Sequence, residues 1–335
     1  MMFGLRELKE SIMVERDVVV CPVLGCENRV KKITRGVVRA LDGYFEDGRE
    51  RTEVFEPYLC KKHKIYVTPS TFIYEDYKDN LLWRDMDKEL FSKVLEVKRV
   101  KSQLHHDNSE DAVTWNVFRF LERRRLLSSL LGKLSNSLIK NPEIIYWSYS
   151  QSQQGSWSEL ENARNEFKEE PKRSSEPDLI IKCDEALFFI EAKLASPTKT
   201  NFSGSHTQRG REERIKRYSI DDRFLNQPVE NLIDAGYYQL MRAWLIGSLI
   251  AETLKLNFYF INLILADREE DTDKDFNEYI RCGQDRKFMR ITWEDVFQHI
   301  LNNRVDSEDW GMMVTYFNNK SLGYKDGKLQ RAFLV

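Results

Sequence analysis

Two short stretches decide the fold: Pro177–Lys182 (PDLIIK) and Leu187–Lys193 (LFFIEAK). Both are apolar runs of strand length, and Asp184-Glu185 between them is a turn signal, so we predict a β-hairpin. Side chains alternate in direction along a strand, which places Glu191 and Lys193 on one face. Asp178 starts the first strand at the end where Glu191 completes the second. The pattern therefore predicts two carboxylates and one ammonium close together.

This set of groups suits the hydrolysis of phosphodiester bonds. Asp178 and Glu191 can hold Mg²⁺ or Mn²⁺, hard cations that prefer oxygen ligands. A bound metal polarises the phosphate and lowers the pKa of a bound water, and Lys193 can stabilise the developing charge. The alternative is a surface salt bridge on a hairpin. We favour a site, because a very apolar strand that closes on charged residues needs a reason.

The flanking segments predict a mixed α/β protein. A helical pattern precedes the hairpin, and after it comes a polar excursion, which we predict to be a loop, then a long helix and a buried strand. The predicted elements are a helix over 109–125, a strand over 143–150, the loop over 195–228, a helix over 229–256 and a strand over 257–266. The core order is helix, three strands, helix and strand.

Pro177-Asp178 and Glu191-Ala192-Lys193, set in this order of elements, resemble the PD-(D/E)XK nuclease superfamily. The resemblance covers about residues 105–266, and with Tyr237–Arg242 it is strongest to bacterial restriction-endonuclease-like proteins. It implies the restriction-endonuclease-like fold, an α-β-β-β-α-β mixed sheet flanked by helices. It also implies Mg²⁺-dependent cleavage of DNA, with Asp178 and Glu191 as metal ligands and Lys193 as the catalytic lysine.

The resemblance also implies two further polar groups at the site. The family commonly adds an acid from the first core helix, and Glu110 or Asp111 fits that place; we prefer Glu110 for its longer reach. The alternative is ordinary acidic charge at a helix N-terminus. In similar nucleases a polar residue of the helix before the last strand approaches the active site, and Gln239, with Arg242 beside it on one helix face, fits that role. The alternative is that both residues face water.

Four possible metal ligands lie near the N-terminus: Cys21, Cys26, Cys60 and His63. They form two short chelating pairs, which is the pattern of a tetrahedral structural Zn²⁺ site. Pro22 and Gly25 would make a tight turn between the first two ligands. The alternatives are buried cysteines with a surface histidine, or an iron–sulfur cluster, which usually takes four cysteines and ranks well below zinc.

One segment is locally basic although the chain as a whole is not. With 52 Lys and Arg against 54 Asp and Glu, the formal charge is −2, which excludes a grossly cationic nucleic-acid binder. Local charge can still bind a phosphate backbone. We predict that the loop after the catalytic strand contacts DNA; the alternative is a solvated surface. Its basic residues are Lys199, Arg209, Arg211, Arg214, Lys216 and Arg217.

The chain divides on composition into three predicted domains. These are a zinc-binding module at 1–100, a nuclease core at 101–270 and a helical C-terminal extension at 271–335. The first ten residues lack the apolar stretch of a signal peptide, and the longest apolar run, Ala243–Ala251, is far below the roughly 20 residues that a membrane helix needs. Five cysteines, an odd number, suit a reducing compartment. We therefore expect a cytoplasmic protein without a membrane segment.

The predicted function is metal-dependent endonuclease cleavage of DNA. A role in restriction or antiphage defence, with a partner protein of a defence system, is implied by the resemblance alone. Cutting both strands needs two active sites, which favours a homodimer. Two alternatives stay open: a non-catalytic, zinc-containing nucleic-acid-binding or regulatory protein, and a nuclease directed at RNA.

Overall fold

The computed structural model describes residues 6–34, 36–38, 41, 53–68, 71–83, 85–99, 103–171, 174, 176–199, 208–269, 271–304 and 307–333. The described chain forms two compact units. The first unit is drawn from 1–87, 101–120 and 301–335, and the second from 88–100 and 121–300. Within these described ranges no helix has both the length and the apolar composition to cross a bilayer.

The strands are β1 (Val18–Val20), β2 (Arg29–Lys31), β3 (Leu59–Cys60), β4 (Ile65–Val67), β5 (Phe72–Tyr74), β6 (Glu143–Tyr146), β7 (Tyr149–Ser150), β8 (Gly155–Ser156), β9 (Leu179–Lys182), β10 (Ala186–Ala192), β11 (Asn257–Ile264), β12 (Arg286–Thr292), β13 (Ser321–Lys325) and β14 (Lys328–Arg331).

The α-helices are α1 (Lys88–Val97), α2 (Glu110–Arg123), α3 (Leu127–Ser135), α4 (Ser158–Glu166), α5 (Gln208–Tyr218), α6 (Val229–Asp234), α7 (Tyr238–Leu254), α8 (Thr272–Asn277), α9 (Trp293–Asn302) and α10 (Glu308–Asn319). Short 3₁₀ helices occupy Glu53–Tyr58 and Tyr77–Asn80.

The second unit is built on one seven-stranded mixed sheet. Its strand order is β12-β11-β10-β9-β6-β7-β8, with β10, β11 and β12 parallel and the remaining pairs antiparallel. Strand β10 is buried along its length except at Glu191, which is half-buried. A strand buried on both faces is expected to be a continuous apolar run, which explains the sequence LFFI. The structure confirms the prediction of a mixed α/β protein with a mixed sheet.

Helix α7 packs against one face of this sheet. Trp244 lies 5.5 Å from the Phe258 ring, measured between ring centroids. At Gly247 the helix comes so close that a Cβ atom would overlap the Phe258 ring and lie 3.2 Å from Phe189 Cδ2. Because α7 connects the parallel strands β10 and β11, it runs back along the sheet and begins at the edge where β10 ends. The start of α7 therefore belongs to the same edge as Glu191.

In its described residues, the first unit contains three small sheets: β1-β2, β3-β4-β5 and β13-β14. Residues near the two ends of the chain are hydrogen-bonded within this unit. The backbone N–H of Ile12 donates to the carbonyl of Gly327 at 2.8 Å, and the Tyr324 hydroxyl donates to the carbonyl of Lys9 at 2.7 Å. A small core of cysteine, valine, isoleucine and aromatic side chains lies among these strands.

Two of the predicted elements differ from the structure. The long helix over 229–256 is two helices, because Gly236 adopts φ +84° and Tyr237 N–H bonds back to the carbonyl of Leu232, a glycine-type helix stop. The predicted loop over 195–228 contains α5, an 11-residue helix. Its arginine, lysine and glutamate residues are good helix formers, and the buried Tyr218 supplies an apolar anchor. Residues 200–207 lie outside the described part.

The segment 271–335 is not purely helical as predicted. It contains β12, which extends the large sheet beside β11, and the hairpin β13-β14. Strand β12 (RKFMRIT) is too charged to suggest a strand, and it forms because β11 offers a parallel pairing edge. The two units do not follow the three predicted domains in chain order. The division into domains at 1–100, 101–270 and 271–335 stays a prediction.

Candidate functional site

The carboxylates and the lysine meet where β9 begins and β10 ends. Leu179 pairs with Ile190 across the antiparallel strands, so Asp178 lies opposite Glu191. One carboxylate oxygen of Asp178 accepts the backbone N–H of Ala192 at 2.7 Å. The predicted hairpin thus brings the two acids to one end of adjacent strands.

Glu191 and Lys193 form a close, mostly buried ion pair. Lys193 Nζ lies 2.8 Å from Glu191 Oε1, and each side chain is 12% exposed. The Trp293 indole N–H donates to the Lys193 carbonyl at 3.0 Å, which holds the backbone that carries the lysine. The arrangement offers carboxylate oxygens for a hard divalent cation and an ammonium beside them.

The sheet continues this row of polar residues in a way that the sequence analysis missed. Glu191 is in register with Asn262 on β11, and Asn262 is in register with Arg290 on β12. Paired residues point to the same face, so Asp178, Glu191, Asn262 and Arg290 share one face. The buried Asn262 amide donates to Thr198 Oγ1 at 3.2 Å. The available signal was a lone amide in the middle of an apolar strand.

A buried charged network holds the backbone just before Asp178. The carboxylate of Glu176 accepts the Ser148 hydroxyl at 3.2 Å and has Lys98 Nζ at 3.8 Å. The Arg164 guanidinium donates to the same Ser148 hydroxyl at 3.0 Å. The side chains of Glu176, Lys98 and Arg164 are nearly inaccessible to solvent. Such paired buried charges fix the strand start in one position.

The other predicted site residues lie in different places. Glu110 and Asp111 open helix α2 in the first unit and are half-buried, and their role as the third acid stays a prediction. Gln239 is exposed in the first turn of α7, and its role at the site also stays a prediction. Arg242 instead lies 3.2 Å from the fully buried carboxylate of Glu169, an ion pair inside the second unit.

Helix α5 is anchored to the core at its last residue. The Tyr218 hydroxyl bonds the Glu169 carboxylate and accepts Arg242 Nε at 2.8 Å. Burial raises the pKa of Tyr218, so this hydroxyl keeps its proton and can donate it to Glu169. This anchor fixes a helix that carries several of the basic residues that were predicted to lie on a loop.

The predicted basic residues are partly engaged with acids and rings. Lys199 pairs with Asp275 at 2.9 Å, and Arg211 pairs with Asp234 at 2.7 Å. The Arg217 guanidinium is 3.8 Å from Glu170, the Arg214 guanidinium lies 4.7 Å from the centroid of the Tyr238 ring, and Lys216 is exposed. Arg209 lies in α5, but its side chain is outside the described residues. DNA binding by this segment stays a prediction.

The cysteine and histidine residues converge in the first unit. The ligand atoms of Cys21, Cys26, Cys60 and His63 all lie within 4.8 Å of one another. In the described part of the chain, no other group of three or more His, Cys, Asp or Glu side chains is arranged so that it could hold a metal ion. The Cys21 sulfur is 3.3 Å and the Cys60 sulfur 3.7 Å from His63 Nδ1. Three sulfurs and one imidazole nitrogen can hold a tetrahedral Zn²⁺ ion. The fourth ligand is Cys26.

Two hairpins present these ligands in pairs. Cys21 follows β1 and Cys26 precedes β2, with Gly25 at φ +72° in the turn between them, a conformation that glycine adopts without cost. Cys60 ends β3, and His63 lies in the turn before β4. Each pair is therefore local in sequence, and the packing of the hairpins brings the pairs together.

The cluster already favours a thiolate. A hydrogen bond from the Cys21 thiol lowers the pKa of Cys60 to about 4, assisted by the His63 backbone N–H and the Asn28 side chain against an opposing effect of burial. The same contact raises the pKa of Cys21. A thiolate is the form in which cysteine binds a metal, so the donor set fits zinc chemically as well as geometrically.

Fold and site together define a mixed α/β protein with a carboxylate–lysine group on its central strands and a Cys₃His cluster in a separate unit. The sequence model of the family described as "Restriction Endonuclease associating with ARP" matches residues 48–320. The match covers most of the chain, and the protein belongs to this restriction-endonuclease-like family. No curated protein and no solved structure matches it.

Proposed function

We propose that the protein is a metal-dependent endonuclease that cleaves phosphodiester bonds in DNA, with a role in restriction or antiphage defence. The observation that carries the proposal is the grouping of Asp178, Glu191 and Lys193 at one end of two adjacent strands. Membership of a restriction-endonuclease-like family supports the same reaction class. The order of elements around the grouping supports a PD-(D/E)XK core.

Each side chain has a distinct chemical role in this proposal. The carboxylates of Asp178 and Glu191 would hold Mg²⁺ or Mn²⁺. The metal, when bound, polarises the phosphate and lowers the pKa of a water ligand. The Lys193 ammonium would bind a non-bridging phosphate oxygen and stabilise the charge that develops there. Gln239, at the same edge of the sheet, would orient the substrate.

Two further parts of the proposal concern binding. Helix α5 and Lys199 would contact the DNA backbone. The basic residues of the helix in this proposal are Arg209, Arg211, Arg214, Lys216 and Arg217. The family is described as associating with ARP, so we propose a partner protein of that kind within a defence system. A homodimer would supply the two active sites that a double-strand cut requires.

The Cys₃His cluster is proposed to hold one structural zinc ion. Four protein ligands fill a tetrahedral shell and leave no open position for a substrate. Cys21, Cys26 and Cys60 are buried in the small core of the first unit, so the ion would cross-link two hairpins.

Cleavage of supercoiled plasmid tests the nuclease proposal. We expect wild-type protein to nick or cut the plasmid with Mg²⁺ or Mn²⁺ and to stop when EDTA is added. Lys193→Ala should slow cleavage by about 100-fold or more, because it removes a group that stabilises transition-state charge. Lys287→Ala, at an exposed position on β12, is the matched control and should cut at the wild-type rate.

The remaining outcomes separate the alternatives. Cleavage of an RNA of the same sequence, with the plasmid untouched, would indicate an RNA-directed nuclease. Binding of DNA without cleavage, unaffected by Lys193→Ala or Glu191→Gln and by EDTA, would favour a non-catalytic nucleic-acid-binding protein. Cleavage by Lys193→Ala at the control rate would remove the proposed site.

A further inference from the structure

A cavity of about 270 Å³ opens directly beside Lys193. Its walls are the residues that follow β10, namely Lys193–Pro197, and residues at and after the end of β11, namely Ile264, Leu265, Arg268 and Glu269. The C-terminal edge of parallel strands is where α/β proteins usually bind ligands. The cavity therefore adjoins the proposed reaction centre and shares Lys193 with it.

One wall of the cavity is held by Arg290, the last member of the polar row. Its Nη2 atom donates to three carbonyls, those of Leu265, Ala266 and Arg268, at 3.3, 3.2 and 2.8 Å. The Glu294 carboxylate accepts the Ala266 N–H at 3.0 Å. The side chains of Arg290 and Glu294 thus hold the turn after β11 by hydrogen bonds.

The two walls are also tied to each other. Arg268 Nη1 donates to the carbonyl of Ala195 at 3.0 Å. On the other side, Glu269 Oε1 accepts the backbone N–H of Thr198 at 2.8 Å. These two bonds link the segment after β10 to the segment after β11 on either side of the cavity.

The lining combines apolar residues with two cations, Lys193 and Arg268, and one carboxylate, Glu269. The exposed Pro197 ring, beside the nearly inaccessible Leu194 and Ile264, suits the flat face of a nucleobase, and Arg268 offers a cation for the adjoining phosphate. The volume is just below the roughly 300–1,000 Å³ of pockets that take whole small molecules.

Continuity of the DNA strand connects this cavity with the reaction. When Lys193 binds the phosphate that is cut, the adjoining nucleotide of the same strand is displaced by about 3.4 Å along the axis of a regular duplex. We propose that the cavity takes the base of the nucleotide adjoining the cut phosphate, turned out of the base stack, with Arg268 beside its phosphate. This inference rests on the proposed nuclease function. The contacts in the cavity would offset the free energy that unstacking the base costs.

The experiment combines a substitution that fills the cavity with a fluorescent base that reports unstacking. Ser196 lines the cavity and is exposed, so Ser196→Trp can occupy the space without disturbing the core. Ser137→Trp, at an exposed site after α3, is the matched control. The cut position is first mapped with Mg²⁺, and duplexes then carry the fluorescent base 2-aminopurine at each position around it. Binding is observed with Ca²⁺ under conditions in which the strands are not cut.

We expect fluorescence to rise only at the position adjoining the cut, for wild type and for Ser137→Trp. Ser196→Trp should show no rise and should cut about 10–100-fold more slowly, as misplaced substrates generally do. Cleavage by wild type without a local rise, or an unchanged rise with Ser196→Trp, would overturn the cavity proposal alone. Absence of DNA cleavage by wild type would remove the nuclease proposal, and the cavity proposal with it.

Discussion

At the scale of single residues, several oppositely charged side chains form ion pairs that have little contact with solvent. Lys193 and Glu191 form such a pair, and so do Arg242 and Glu169. Their surroundings differ because Lys193 lines a cavity, whereas the side chain of Glu169 is fully buried. The pairing of charges therefore identifies a site only in combination with access for a substrate.

His63→Ala should release zinc and lower stability. The histidine is one of four ligands in a closed set, and metal binding to such a set contributes directly to folding. A loss of about 3 kcal/mol would lower the melting temperature by about 6–12 °C. Metal analysis and thermal unfolding measure the two effects. Cys282→Ala removes an exposed cysteine outside the cluster and should retain about one zinc per chain; equal zinc in both variants would contradict the assignment.

At the scale of elements, helix α7 packs so closely on the sheet that Gly247 leaves no space for a larger side chain. Gly247→Ala would place a methyl group into the Phe258 ring and against Phe189, so we expect destabilisation of about 1–3 kcal/mol. Gly311 in α10 has open space around its Cβ position, and Gly311→Ala should stabilise by about 0.5–1 kcal/mol. Urea unfolding midpoints should shift in opposite directions; an unchanged or raised midpoint for Gly247→Ala would contradict the close approach.

Helix α5 should contribute to DNA binding through its charge. Replacing Arg214 and Lys216 by Gln should flatten the dependence of log affinity on log salt by about 0.9 for each phosphate that the helix no longer neutralises. Fluorescence anisotropy at several salt concentrations, with Ca²⁺ present, measures this slope. Lys287→Gln is the control outside the helix. An unchanged slope in the double variant would exclude binding of the DNA backbone by α5.

At the scale of the whole molecule, the chain returns to its beginning within the first unit. The hairpin β13-β14 is hydrogen-bonded to residues near the N-terminus, and Lys320, just before it, pairs with the buried Asp107 at 3.3 Å. The Ser321 hydroxyl donates to the same carboxylate at 2.9 Å. The stability of the first unit should therefore depend on residues far along the sequence from β1 and β2.

Deleting residues 321–335 should lower both the melting temperature and the retention of zinc. The deletion removes the bonds from Ile12 to Gly327 and from Tyr324 to Lys9, and with them the cover of the small core. Glu10→Gln is the control, because it breaks only an exposed ion pair with Arg331 and should cost less than about 1 kcal/mol. Full zinc content in the deletion variant would show that the N-terminal segment folds without this hairpin.

Local patterns were sufficient for the groups that are close in sequence. The alternation of strand side chains predicted that Glu191 and Lys193 share a face, and the turn between the two strands predicted that Asp178 lies beside them. The pairs Cys21 with Cys26 and Cys60 with His63 were recognisable in the same way. In each case a single hairpin or turn fixes the geometry, so neighbouring residues contain the information.

Only the tertiary structure decided how distant pieces combine. Thirty-three residues separate Cys26 from Cys60, and the packing of two hairpins brings them within reach of one ion. The row from Glu191 to Asn262 and Arg290 depends on parallel pairing between strands far apart in sequence. The cavity beside Lys193 and the engagement of Arg211 with Asp234 have the same origin. Long-range pairing depends on the whole core, and no local pattern of residues specifies it.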